Sequence, residues 1–292
     1  MSQRGGIAPY LQAAPLALVF LLFLVIPLAI IVMVSFWTYT DYSIQPAFEV
    51  QNYLDVFDRC IVRLPTLCTT FRTYLSTLTF CAIVWALTLV IGFTVAYFLA
   101  FEVRSPTVQS LLFLVCTIPF WTSNVIRMIS WIPLLGRSGL VNQALIGLGL
   151  IDQPIEWLLY SSFSVTITFV HLFTFFMVVP IYNSMLRIDR SLIEAARDAG
   201  ASGWQILWNV IVPLSKTGIA IGSIFVITIV MGDFITIGLM GGQQIASVGK
   251  TIQTEISYLQ FPVAAANAVV LLGTVLLIIV GLTRVVDIRR EL

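Results

Sequence analysis

Three places in this sequence hold residue types that do chemistry in proteins. The first is Gly249-Lys250-Thr251, which has the form of the end of a phosphate-binding loop. Such a loop needs another glycine five residues before its second one, so that backbone N–H groups can cradle phosphate. That position is Gln244, so the motif fails, and ATP hydrolysis is expected on another chain. The second is the thiol and imidazole set. There is one His and there are four Cys, without HExxH, CxxC or GxSxG spacing. No catalytic residue, metal ligand or cofactor of this chain's own is expected. The third is charge inside apolar runs. Arg127, His171 and Asp233 are ionisable groups of this kind, and such groups are expensive in hydrocarbon and functional by default. With Trp121 and Asn124 they are the candidate pathway residues. Trp121, Asn124 and Asp233 would offer an organic cation aromatic, polar and charged contacts.

The elements that must position these groups are membrane helices. Of the 292 residues, 59% are hydrophobic and 10% charged, against about 25% charged in an ordinary soluble domain. Mean hydropathy is +1.00. Disorder and a disulfide-stapled secreted domain are excluded by this composition. The net charge of +1 gives no bulk attraction to nucleic acid. Spanning a bilayer takes about 20 apolar residues in a helix. Six segments qualify, at about 15–36, 74–101, 108–131, 157–185, 212–239 and 263–285. The expected fold is therefore all-α: a polytopic membrane protein of one domain, 1–292. At about 1.5 Å per residue, Arg127 falls about 28 Å along the third helix and Asp233 about 30 Å along the fifth. At similar depth, they are expected to face a cavity and pair with each other or contact solute. The alternative is that Arg127 snorkels to headgroups and Asp233 only begins a loop. His171, near mid-bilayer, is read as a neutral imidazole bonded to a neighbouring helix, with a pathway role as the alternative.

Six spans put both termini on one side. That side would carry nine basic and six acidic residues, and the other six basic and eight acidic. Lys and Arg accumulate inside, so both termini are expected in the cytoplasm. The loop from Trp37 to about Thr73 is then outside. Its Cys60 and Cys68 are expected to form a disulfide in an oxidising periplasm. Two unpaired small hydrophobes are the alternative, since spacing does not fix geometry. Cys81 and Cys116 read as packing residues.

The inside loop 187–213 is the most informative segment. Ser191 and Glu194 have capping-box spacing, which predicts a helix from about Leu192. Leu192, Ala195, Ala196 and Ala199 fall on one face, and Gly200 follows as a helix stop. Ser202 and Gln205 repeat the capping pattern, and Pro213 marks re-entry into the membrane. The residues alone allow either a grip for a cytoplasmic partner or an interfacial amphipathic loop.

The pattern Glu194-Ala195-Ala196, Gly200, Val210-x-Val212-Pro213 resembles the EAA loop of ABC importer permeases, whose consensus ends in Ile-x-Leu-Pro. The resemblance implies the type I permease architecture in a bacterial inner membrane. It implies a coupling loop in which Glu194, Ala195, Ala196, Arg197, Asp198, Gly200 and Pro213 engage a cytoplasmic ATPase dimer, where ATP and Mg are bound. It also implies a second permease subunit and a periplasmic solute-binding protein. Pro119-Phe120-Trp121-Thr122-Ser123-Asn124-Val125-Ile126-Arg127, Gly139-Leu140-Val141-Asn142, Leu192 to Ser202, Gly232-Asp233-Phe234 and Gly241-Gly242 are similar to segments of spermidine/putrescine permeases. Polyamine import is the implied function. Branches for iron, sulfate, phosphonates or thiamine share several features. An autonomous secondary transporter is the rival class. It would be expected to carry a midplane carboxylate or an inverted repeat, and neither is seen here.

Overall fold

The computed structural model describes residues 8–40, 43–57, 60 and 68–285. Arg4, Asp41, Asp58, Arg59, Arg63, Asp287, Arg289, Arg290 and Glu291, which entered the charge comparison, lie outside the described residues. Helices α1 (Ala8–Phe20) and α2 (Ile26–Val34) are joined by a π turn, Leu21–Val25. A two-residue hairpin, β1 (Thr38–Tyr39) and β2 (Ile44–Gln45), and α3 (Gln51–Val56) follow. Next come α4 (Thr69–Tyr97), with a π end at Phe98–Glu102, α5 (Pro106–Thr117), α6 (Asn124–Ile129), α7 (Ile132–Leu135) and α8 (Leu140–Gly147). The rest is α9 (Ser162–Met185), α10 (Arg190–Asp198), α11 (Gly203–Ile206), α12 (Val212–Gly232), α13 (Ile235–Met240), α14 (Val248–Ser257) and α15 (Phe261–Val285).

The chain divides into two compact units. The first comprises Met1–Thr70 and Thr251–Gly273. In it no residue of the Gln12–Val34 span is buried within the chain. Asn52 fixes the outer loop by donating to the carbonyls of Ser35 and Trp37, at 2.9 and 2.8 Å. Cys60 and Cys68 are disulfide-bonded, with Cα atoms 4.6 Å apart. Glu255 accepts a hydrogen bond from Asn267 Nδ2 at 2.7 Å.

The second unit comprises Phe71–Lys250 and Thr274–Leu292. Its core is the pair α9 and α12. Val165, Phe169, Leu172, Met177, Ile181 and Met185 are fully buried along α9, at the three-to-five residue steps of one helix face. Gly218 makes the close approach possible. A Cβ there would stand 2.4 Å from the Pro180 carbonyl oxygen and 2.9 Å from Ile181 Cα. No side chain fits between the two backbones, so the helices meet at van der Waals contact of main chain on main chain.

Among the described residues, five helices are long and apolar enough to cross a membrane unbroken. The expected third span, 108–131, is instead a bent pair: Pro106–Trp121 and Asn124–Gly147 meet at 90°. Pro119 lies in the 3-10 turn Ile118–Trp121, and Thr122 is extended, which ends the helix where a straight rise was assumed. The expected fifth span, 212–239, also differs at both ends. Helix runs unbroken from Gly203 and stops at Gly232, where Asp233 turns extended. Pro213 therefore sits inside the helix rather than at its start. The π turn Leu207–Ile211 just before it widens the backbone and absorbs the proline ring.

Gly218→Ala is expected to lower the thermal midpoint of the purified protein in detergent, at a cost of about 1–3 kcal/mol from overpacking. Gly281→Ala, where a Cβ meets nothing within 4 Å, is the comparison and is expected to lose nothing. Equal behaviour of the two would remove the close contact from the account.

Candidate functional site

Loop 187–213 is built from capped segments. Asp189, not Ser191, caps α10, and its carboxylate accepts from the Ser191 N–H at 3.0 Å. Hydrogen bonds from the Ser191 backbone and hydroxyl hold the Asp189 carboxyl below the usual carboxylate range. The expected Ser191–Glu194 box does not form, because Asp189 starts the helix two residues earlier. At the other end Gly200 has φ +85°. Its N–H donates to the Arg197 carbonyl at 2.9 Å, and the Ala201 N–H donates to the Ala196 carbonyl at 3.0 Å. This is a Schellman stop, which needs a left-handed residue. The second capping box is present as read: Ser202 N–H donates to Gln205 Oε1 at 2.8 Å, and Gln205 N–H to Ser202 Oγ at 3.4 Å.

The caps set which face of α10 points where. Ile193 and Ala196 are half-buried, and Arg190 Nη2 donates to the Ala100 carbonyl at the π end of α4, at 3.3 Å. Leu192, Ala195 and Ala199 stay exposed. Of the small face read from sequence, Ala196 turns inward and the rest stays open. Beside it, α9 and α12 line a half-open, largely apolar cavity of about 690 Å³, bordered by Phe175, Phe176, Pro180, Asn183 and Phe225 and reaching Asp189 and Leu192.

The other candidates gather around α6, α9 and α13. Arg127 is 8% exposed, and its Nη2 donates to Asn124 Oδ1. Its buried Nε has no partner. Asp233 turns the other way. Its Oδ1 accepts from the Thr236 N–H at 2.7 Å, and its Oδ2 lies 3.0 Å from Thr236 Oγ1. Arg127 and Asp233 thus have separate partners and do not pair. The bend after Trp121 carries Arg127 off the straight path on which their common depth rested. Thr236 Oγ1 also lies 3.0 Å from Met128 Sδ, which links α13 to α6. His171 Nδ1 accepts from Trp131 Nε1 at 3.1 Å, with the rings edge-on. An indole N–H only donates, so His171 Nδ1 carries no proton and the ring is neutral. Trp121 is 70% exposed and stands apart from this cluster.

Sequence reasoning missed Trp131, Met128 and Thr236. Thr236 was legible, because an Asp followed three residues later by Thr has helix-start spacing. Trp131 and Met128 carry no such local signal.

Helices of this length and arrangement, with a doubly capped loop between two locked spans, define a membrane permease component. The chain belongs to the family of inner membrane components of binding-protein-dependent transport systems, whose model matches residues 89–289. It is 32% identical over 277 residues to the spermidine/putrescine transport system permease protein PotB of Escherichia coli (strain K12), covering 93% of this chain and 96% of that one. It is 31% identical over 249 residues to PotB of Haemophilus influenzae, covering 84% and 82%. Its fold matches a chain of the bacterial alginate ABC transporter, crystallised with an alginate pentasaccharide-bound periplasmic protein. The TM-score is 0.69 at 18% identity, covering 95% of this chain and 93% of that one.

Asp189→Ala should loosen the start of α10 by about 1 kcal/mol. Hydrogen exchange at the Ser191–Ile193 amides would then quicken about five-fold, while Ser191→Ala leaves it near wild type. The reverse order would return the cap to Ser191.

Proposed function

We propose that this chain is the permease subunit of an ATP-driven importer that moves polyamines from periplasm to cytoplasm. The observation that carries the reading is the 32% identity to a spermidine/putrescine permease across 93% of the chain. The loop around α10 supplies the mechanism. A partner ATPase dimer, holding ATP and Mg, docks on the exposed Leu192, Ala195 and Ala199 face. Small side chains let it come close, and Glu194, Arg197 and Asp198 supply charges that it can pair. Ala196 and Gly200 fix the helix, and Pro213 lies in the span through which its movement passes. Closure of the ATPase dimer displaces α10 and, through it, both α9 and α12.

A periplasmic binding protein delivers solute to the outer side, and a second, paralogous permease subunit completes the passage. The Phe175, Phe176 and Phe225 rings beside the cavity suit an organic cation, whose charge is attracted to aromatic faces. Trp121, Asn124, Arg127, His171 and Asp233 are the outer pathway group. His171, neutral at Nδ1, adds no positive charge there. The chain does no chemistry of its own.

The test is ATPase activity of the assembled complex in liposomes, with its binding protein. Putrescine or spermidine should stimulate wild type. Gly200→Asp should lose about ten-fold or more of that stimulation, equivalent to about 1.4 kcal/mol of docking, in a complex that still assembles. Stimulation by iron, a phosphonate, thiamine or an amino-acid-like solute, and not by polyamine, would overturn the substrate. Transport by this chain without any ATPase would overturn the class. Separately, Asp233→Asn should reduce polyamine transport while leaving basal ATPase activity unchanged, and unaltered transport would remove Asp233 from the pathway.

A further inference from the structure

From Thr251 to Thr283 the chain carries one charged side chain, Glu255 of α14. The residue is half-buried, and its carboxyl is not left to water. Oε1 accepts from Asn267 Nδ2 at 2.7 Å. Oε2 is enclosed and has no hydrogen-bond partner. Asn267 is 4% exposed and lies about 9 Å along α15 from Phe261, at about 1.5 Å per residue. It therefore draws the carboxyl past the start of an apolar span, where its neighbours Ala264 and Ala266 are buried and offer no side-chain donor. The described residues of this unit include no Lys or Arg. Burial pushes the Glu255 carboxyl up, and the Asn267 bond only partly offsets this. A carboxylate enclosed without a cation is costly to keep, and charge held in such a place marks function by default.

Connectivity gives the side on which this carboxyl stands. Helix α14 lies between the Gly203–Gly232 and Phe261–Arg284 spans, and α10 lies before the first of them. One crossing separates the two loops, so they open on opposite faces of the membrane. With α10 at the ATPase, Glu255 is on the face where solute arrives. The ligand set narrows the cation. A hard metal ion takes about six oxygen ligands or more, and among the described residues no three His, Cys, Asp or Glu side chains gather to hold one. An alkylammonium asks for less. It carries its charge on N–H donors, and one carboxylate oxygen forms a strong charge-assisted bond with such a donor. Unlike Asp233, whose two oxygens are both engaged by Thr236, Glu255 keeps one oxygen uncommitted.

We propose that Glu255 binds the ammonium end of the transported amine, with Oε2 as the acceptor and Asn267 as the residue that holds the carboxyl in position. The chain alone leaves this charge uncompensated, and the solute supplies the missing cation. The site rests on the polyamine-importer reading above, and its occupancy is measured without ATP turnover.

The test is equilibrium binding of radiolabelled spermidine to the purified, assembled complex without its binding protein. Wild type should bind, and Glu255→Gln should bind about ten-fold more weakly, the scale of one charge-assisted hydrogen bond. The Gln amide oxygen still accepts from Asn267, so the thermal midpoint of this variant should equal or exceed that of wild type, as when an uncompensated buried charge is removed. Glu255→Asp keeps the charge and should recover part of the affinity. Glu49→Gln, on the exposed outer loop, should match wild type. Asn267→Ser, which leaves the carboxylate but loosens its hold, should weaken binding about three-fold, and it reads the same site if Glu255→Gln fails to assemble. Equal binding by Glu255→Gln and wild type would overturn the site alone. If the thermal midpoint fell at the same time, Glu255 would be a structural tie between α14 and α15. A wild-type complex that binds no spermidine would overturn the polyamine reading and this site with it.

Discussion

The contact on which the second unit depends is that of Gly218 against the Pro180 carbonyl. Pro180 lies within α9, where its ring removes a donor from the helix ladder and crowds the preceding turn. A helix weakened in this way would bend freely if nothing lay against it. Here α12 closes on it, backbone against backbone, and Met177 is clasped nearby by Gly92 of α4 and Gly222 of α12. In lipid there is no hydrophobic drive to push helices together. Close dispersion contact between small residues takes its place.

That lock gives the loop its mechanical meaning. The chain leaves α9 at Met185, forms α10 and α11, and returns as α12, so both ends of the loop are rooted in one rigid pair. A displacement of α10 is not absorbed by relative motion of its roots. The caps at Asp189, Gly200 and Ser202 serve the same end, because a frayed helix transmits little. The π turn Leu207–Ile211 is the one widened segment on this path.

Much of this was legible in the chain itself, and the exceptions have a common cause. The spans were read from apolar length, which is a local property. The Ser202–Gln205 box and the Gly200 stop were read from spacing, and both are local hydrogen-bonding patterns. The Ser191 cap was misread because Asp189 offers a competing acceptor two residues earlier, and sequence does not rank the two. The 90° break at Thr122–Ser123 is not legible from Pro119, since proline is tolerated in membrane helices where neighbours satisfy the freed backbone groups. The pairing of Arg127 with Asp233 was inferred from depth along straight helices, and the break invalidated the ruler.

What the sequence alone determined is the solvent and the punctuation: a chain too apolar for water, cut into spans, with a capped loop between two of them. These follow from composition and from contacts within a few residues. What only the tertiary structure decided is which face of each span is inside. Helices apolar all round carry no amphipathic signal, so the face that Phe169 and Met177 bury cannot be told in advance from the face that meets lipid. The partners of Arg127, His171 and Asp233 depend on that choice. Groups tens of residues apart, such as Trp131 and His171, meet only after the helices have packed.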